Sequence, residues 1–219
     1  MGIEEWWNNP CQVESETESL SGTKPIEEWN VLPLMHQVYQ LKQKAERNKS
    51  EWAMKTFQKP FDDLYNDVEY DWLPKTPKNM AESLEDGRKF DELQPENLVS
   101  QLYHDFLIYS TAITFLAYEE TADPGEIFQI IQFELEVFLC TFQRFLKDIN
   151  VNFPPQVHVD IIPEELNGTN LSSDEINNRN LIIYREYVKG LDYLIEVLEY
   201  IDHMHGVKIR EKLTQKVEN

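Results

Sequence analysis

Apolar residues recur along this chain in four stretches with helical spacing, and the gaps between the stretches are long, very short and long again. In the first stretch, from about Leu32 to Gln58, Leu34, Val38, Leu41, Ala45 and Trp52 follow one another at steps of four and three, with one polar gap at Asn48. The second, from about Pro95 to Glu120, sets Leu98, Leu102, Phe106, Tyr109, Ile113 and Leu116 on one side. Only Thr121 to Asp123 separate it from the third, Pro124 to about Ile149, whose seam is Ile127, Ile131, Leu135, Phe138, Phe142, Phe145 and Ile149. The fourth, from Asp174 to about His205, carries Tyr184, Val188, Leu191, Ile195 and Leu198.

The ends of these stretches carry boundary signals. Pro33 suits a first helical turn and Pro60 stops the first helix. Asp123-Pro124-Gly125-Glu126 combines an Asp cap, Pro at the first position and Glu three residues after the cap. Ser172-Ser173-Asp174-Glu175 forms a capping box for the fourth helix, and Gly206 provides its stop. The short connection makes helices two and three antiparallel neighbours. The long ones can each return the full height of a bundle, since a helix of ~26 residues is ~39 Å tall and an extended chain covers ~3.3 Å per residue.

The predicted fold is therefore all-α: an up-up-down-down four-helix bundle with two long crossover straps over 32–206. Residues 1–31 read as an amino-terminal extended segment, rich in Glu, Ser and Thr as far as Lys24, and 207–219 as a solvated basic tail. The first strap, Phe61 to Leu93, holds Phe61, Tyr65, Tyr70, Trp72 and Phe90, so it is expected to pack on the bundle.

At 219 residues with 41% apolar content, the chain can build one sizeable core. Its formal net charge of -20 argues against nucleic acid and against anionic membrane surfaces as partners. No apolar run approaches the roughly 18 residues of a membrane span, so no membrane insertion is expected. The acidity reads as a solvated outer surface, or more sharply as steering toward a basic partner.

The first twenty residues, with Glu4, Glu5, Glu14, Glu16 and Glu18, show no signal peptide. Trp6 stands where myristoylation needs Ser or Thr. A removed leader, unconventional export and an intracellular protein all remain open on this ground. Three glycan acceptor sequons point outward: Asn48-Lys49-Ser50, Asn167-Gly168-Thr169 and Asn170-Leu171-Ser172. The loop pair Asn167 and Asn170 is the better fit, because Asn48 falls inside helix one.

Catalytic chemistry finds no footing. Di-iron bundles need paired Glu-x-x-His motifs, whereas Glu199 and His203 are four apart and stand alone. His203 and His205, two apart, diverge on a helix and suit its C-terminal dipole better than a metal. Asp62, Asp63 and Asp67 lack a second acidic cluster for magnesium, the 7 glycines are ungrouped, and Cys140 has no identifiable activating His. The expectation is no enzyme activity, no cofactor and no metal.

Surfaces carry more. With Phe138 at the centre of the third helix's seam, Cys140 points about 200° away, beside Ile130, Phe133 and Val137. This second apolar strip is either a partner-binding patch or a face covered by the amino-terminal segment or a strap. In an extracellular protein the two cysteines permit one intrachain bridge, Cys11–Cys140, which would pin the amino-terminal segment across the third helix. Two free thiols in a reducing compartment is the alternative.

Three places resemble a known family. Phe57-Gln58-Lys59-Pro60-Phe61 resembles an aromatic or Leu followed by Gly-x-Pro-Phe, with Gln58 at the Gly. Leu98 to Leu116, with Tyr103, Phe106 and Tyr109, is similar to that family's leucine/tyrosine pattern. Tyr184-Arg185-Glu186-Tyr187-Val188-Lys189-Gly190-Leu191 resembles Phe-x-x-Lys followed by a hydrophobic-x-Gly-Leu turn. The family is the long-chain cytokines of the interleukin-6 class, nearest to ciliary neurotrophic factor, cardiotrophin and cardiotrophin-like cytokine.

The resemblance spans roughly 30 to 205 in short motifs. It implies a secreted monomer that clusters single-pass cell-surface receptors and so triggers kinases on their cytoplasmic tails. It also implies two receptor sites. One uses the outer faces of helices one and three, which would enlist the Ile130, Phe133 and Val137 strip. The other uses the start of helix four with the end of the first strap, and its candidate residues are Tyr184, Tyr187 and Phe61. Tyr187 stands where the family has Lys, and Tyr184 also lies on the inner seam, where it would be core. The competing reading is an intracellular helical adaptor with no catalytic activity, no glycan and no disulfide.

Overall fold

A computed structural model describes residues 5–11, 22–64, 67–77, 94–119, 125–166 and 168–217, with backbone alone at 125–126 and 205–217. Among them the regular structure is entirely helical. The α-helices are α1 (Leu32–Phe57), α2 (Pro95–Tyr118), α3 (Gly125–Asp148) and α4 (Ser173–Val217), with short 3-10 turns ahead of α1, between α1 and α2, and between α3 and α4. Asp123 and Pro124 of the expected α3 start, and Tyr65 and Phe90 of the first strap, lie outside the described residues.

Helix directions follow from side-chain pairs. Lys42 of α1 reaches Asp192 of α4 at 2.6 Å, and the Tyr184 hydroxyl of α4 donates to the Ala45 carbonyl at 2.8 Å. Lys44 meets Glu134 at 2.6 Å, and Trp52 packs on Phe128, so α1 is also antiparallel to α3. Tyr103 with Phe142 and Phe106 with Phe138 set α2 against α3. Tyr109 with Tyr187 and Phe115 with Arg179 set α2 against α4. Every neighbouring pair is antiparallel, so α1 runs with α2 and α3 with α4. This is an up-up-down-down four-helix bundle.

The core joins the predicted seams. Leu34, Val38, Leu41, Ala45 and Trp52 of α1 meet Leu135, Phe138 and Phe142 of α3 and Leu191 and Leu198 of α4, all buried. α2 is buried without a break from Phe106 to Thr114. It is surrounded by α3, α4, the amino-terminal segment through Trp6, the first connection through Pro74 and the second connection through Phe153. Its buried Thr111 is satisfied by the Leu107 carbonyl at 2.9 Å, which relieves the desolvation of a hydroxyl in this position.

Two sequence expectations need correction. In its described residues, 5–11 and 22–31, the amino-terminal segment is not an extended appendage. Trp6–Asn8 forms a 3-10 turn, Trp7 is fully buried and its indole N–H donates to the Val157 carbonyl at 2.7 Å. Trp29 and Val31 are buried as well. Hydrophilic composition hid two tryptophans and a valine that the bundle covers. Nor does α4 end at Gly206: its helix continues to Val217. An interior glycine costs only about 1 kcal/mol, and the Lys, Arg, Glu and Leu that follow are good helix formers.

Gln58 adopts the left-handed conformation, φ 55 and ψ 31, at the end of α1. Glycine takes such a backbone without a Cβ penalty, and here Gln58 accepts it at the helix end. Pro60 then turns the chain so that Phe61 folds back on Trp52 and Tyr184, with ring centroids 6.3 and 5.9 Å away. Gly190 has a packing reason: a Cβ there would stand 2.5 Å from the ring of Tyr109. Gly190 thus lets α4 approach α2.

Candidate interaction surfaces

The outer strip of α3 is open. Phe133 is 64% exposed, Ile130 47% and Val137 43%. Glu134 has Ile130 one turn before it and Val137 one turn after. Its ion pair with Lys44 marks the α1–α3 seam, so the strip borders α1. Gln40, Arg47 and Glu51 are exposed on α1, giving the apolar strip a polar surround.

The described part of the amino-terminal segment meets α3 at Cys140 and Phe145 and lies against α2 and the second connection, leaving Ile130, Phe133 and Val137 exposed. The Trp6 indole donates to the Thr114 hydroxyl at 3.2 Å, and Asn8 exchanges two 3.0 Å bonds with the Val157 backbone. The Glu5 carboxylate accepts the Val159 amide at 3.0 Å. That bond, opposed in part by burial and helped by His158, holds its carboxyl below the usual range.

Cys11 and Cys140 are disulfide-bonded, with Cα atoms 4.7 Å apart. The bridge ties the segment to the far end of the open strip, and it suits an oxidising compartment. Closing a loop with a sequence separation of 129 residues removes much freedom from the unfolded chain. Cys11→Ser is expected to lower stability by about 2–4 kcal/mol. Denaturant melts with and without reductant would differ for the native chain and coincide for the variant. Two free thiols in mass spectra of secretory protein would reject the bridge.

The second expected site is not built as the resemblance implied. Tyr184 and Tyr187 are both fully buried. Tyr184 is packed by Trp52, Phe61 and Phe128 and stacks on Tyr187 at 6.2 Å. Burial raises both phenol pKa values far above the ordinary range. As receptor contacts these two are therefore corrected to core. Their spacing puts them on one side of α4, and that side faces inward. Phe61 remains half-buried at the rim, with Lys49 Nζ 5.2 Å from its ring centroid, and exposed Val68 follows in the first connection.

Of the sequons, Asn170 is exposed at the end of the 3-10 turn Gly168–Asn170, whereas Asn167 lies outside the described residues. Asn48 is half-buried within α1, a placement unlike the exposed loop a glycan needs. The capping box is formed: Ser172 donates its amide and hydroxyl to Glu175 at 2.8 and 2.6 Å.

Two polar clusters escaped sequence reasoning. Arg179 is 1% exposed. It donates to both carboxylate oxygens of Glu119 and, at 2.6 Å, to the Leu166 carbonyl, while Glu119 also accepts the Gly168 amide at 2.7 Å. One ion pair thus clamps the end of α2, the second connection and the start of α4. In sequence both residues read as solvated charges, and neither falls on an apolar register.

The other cluster borders a groove of about 450 Å³ between the first connection and α4, lined by Tyr70, Leu73, Pro74, Glu186, Tyr193 and Glu196. Asp105 lies beside it. Burial pushes the Asp105 carboxyl up to about 6 from its ordinary 3.8, against the opposing bond from Gln101. A raised carboxyl pKa means the folded state binds the proton more tightly. The contribution is full below the unfolded pKa and is lost as pH rises through about 6. Asp105→Asn should therefore raise stability by on the order of 1–2 kcal/mol at pH 7.5 and leave it nearly unchanged at pH 4. Equal gains in Tm at the two pH values would refute this.

No family model, curated protein or solved structure matches this chain.

Proposed function

We propose that this chain is a secreted helical cytokine that binds single-pass cell-surface receptors through the α1–α3 face, clusters them and triggers kinase-linked signalling. The observation that carries the reading is the open strip of Ile130, Phe133 and Val137 on a bundle that buries its other large seams. Apolar side chains held in the open on a rigid helix, beside charged neighbours, have the anatomy of a binding hot spot with a polar rim. Helix order and directions, and a disulfide suited to an oxidising compartment, support the same reading. Clustering needs a second face, and the rim around Phe61 and Val68 is the candidate.

The test is a binding screen of receptor ectodomains against the glycosylated protein, followed by Phe133→Glu in any pair that binds. The variant should keep its helix content and Tm while losing about 2 kcal/mol or more of binding. Unchanged binding would sink the assignment of the strip. A fall of several kcal/mol in stability would show the strip to be covered core.

A further inference from the structure

The register that buries Leu191, Leu194, Leu198 and Ile201 in α4 arrives, further along the same helix, at His205, Lys208 and Lys212. The stripe turns from leucine to lysine near the level at which α1 begins, and the 3-10 turn Ile26–Glu28 ahead of α1 also packs on α4. α1 begins at Leu32, seven residues before Tyr39, and Tyr39 bonds Glu199. An antiparallel partner matched residue for residue is used up near residue 206, yet the α4 backbone continues to Val217. The residues beyond amount to about 16 Å of helix.

Charge changes sign at the same place. Residues 206–217 hold Lys208, Arg210, Lys212 and Lys216 against the single acid Glu211, a net of +3 on a chain whose formal charge is -20. Lys208, Lys212 and Lys216 recur every fourth residue, which places them on one side of the helix about 6 Å apart in rise. The Debye length in physiological salt is about 8 Å, and Lys212 and Lys216 follow residue 206 by about 9 and 15 Å of helical rise, more than that length past the end of the α1 pairing.

We propose that this end of α4 is a binding site for a linear sulfated polysaccharide. A thin polyanion can lie along a line of lysines without approaching the bundle, whereas a flat anionic bilayer set against the same line brings the acidic bundle within its own repulsive range. The inference shares only the extracellular setting with the receptor reading. Retention on heparin is measured with no receptor present, so either can fail without the other.

The full chain should be retained on immobilised heparin in about 0.15 M NaCl and released by higher salt. The variant K208Q/K212Q/K216Q should pass through, its affinity lowered roughly a hundredfold at roughly fivefold per lysine. The matching Lys→Arg variant should be retained, and circular dichroism should give all three proteins the same helix content. Passage of the full chain through the column would overturn the proposal, as would retention of the Gln variant equal to that of the native chain. Binding to phosphatidylserine vesicles without retention on heparin would reassign the stripe to lipid and overturn it as well.

Discussion

Replacing Tyr184 and Tyr187 together by alanine is expected to unfold the bundle, not to uncouple one receptor while sparing another. Each ring is fully buried at the junction of α1, α2, α3 and α4. Truncating one large core aromatic costs about 3–5 kcal/mol. The two rings stack on each other, so their losses do not simply add. Even so, a combined loss of roughly 5 kcal/mol or more is a large share of the ~5–15 kcal/mol that holds such a domain together. Urea melts read this directly, and a double variant that melts like the native chain would return both residues to the surface.

The conservative variants sharpen the test. Tyr184 donates its hydroxyl to the Ala45 carbonyl, so Tyr184→Phe should cost about 1 kcal/mol. The buried Tyr187 hydroxyl has no partner among the described residues, so Tyr187→Phe should be neutral or stabilising by about 1 kcal/mol. A cost at Tyr184 with none at Tyr187, from the same chemical change three residues apart, is the signature of this placement.

Removing Arg179 is the other large effect. Arg179→Met leaves the Glu119 carboxylate partly buried without its counter-charge, and it also removes a donor from the Leu166 carbonyl. Breaking one side of a buried pair costs about 3–5 kcal/mol. Changing both partners, R179M with E119Q, should recover a substantial part, because the uncompensated charge is gone and Gln can still accept the Gly168 amide. A double-mutant cycle in urea measures the coupling. A single variant within about 0.5 kcal/mol of native would show that the clamp is solvated and contributes nothing.

The helices were legible in the residues because apolar period and boundary chemistry agreed. α1 and α2 begin where Pro33 and Pro95 favour a first turn, and the α4 capping box closes as Ser172 and Glu175 suggested. The outer strip was legible for the same reason, since the angle between Phe138 and Phe133 follows from helix pitch alone. The two tyrosines of α4 show the limit. Periodicity places them on one side, but whether that side faces a partner protein or α1 and α2 depends on how closely the helices approach, and Gly190 sets that distance against Tyr109.

What the sequence determined by itself was therefore local: four amphipathic helices, their order, the short link that pairs α2 with α3, and the one possible cysteine pair. Local geometry repeats every few residues, so a linear pattern suffices to read it. The tertiary structure alone decided the rest: that Trp7 is core, that Arg179 and Glu119 form a buried clamp across 60 positions of chain, and that Phe133 stays open while Tyr184 does not. Burial is a property of what lies opposite a side chain, and for these residues the opposite partner comes from a distant part of the chain.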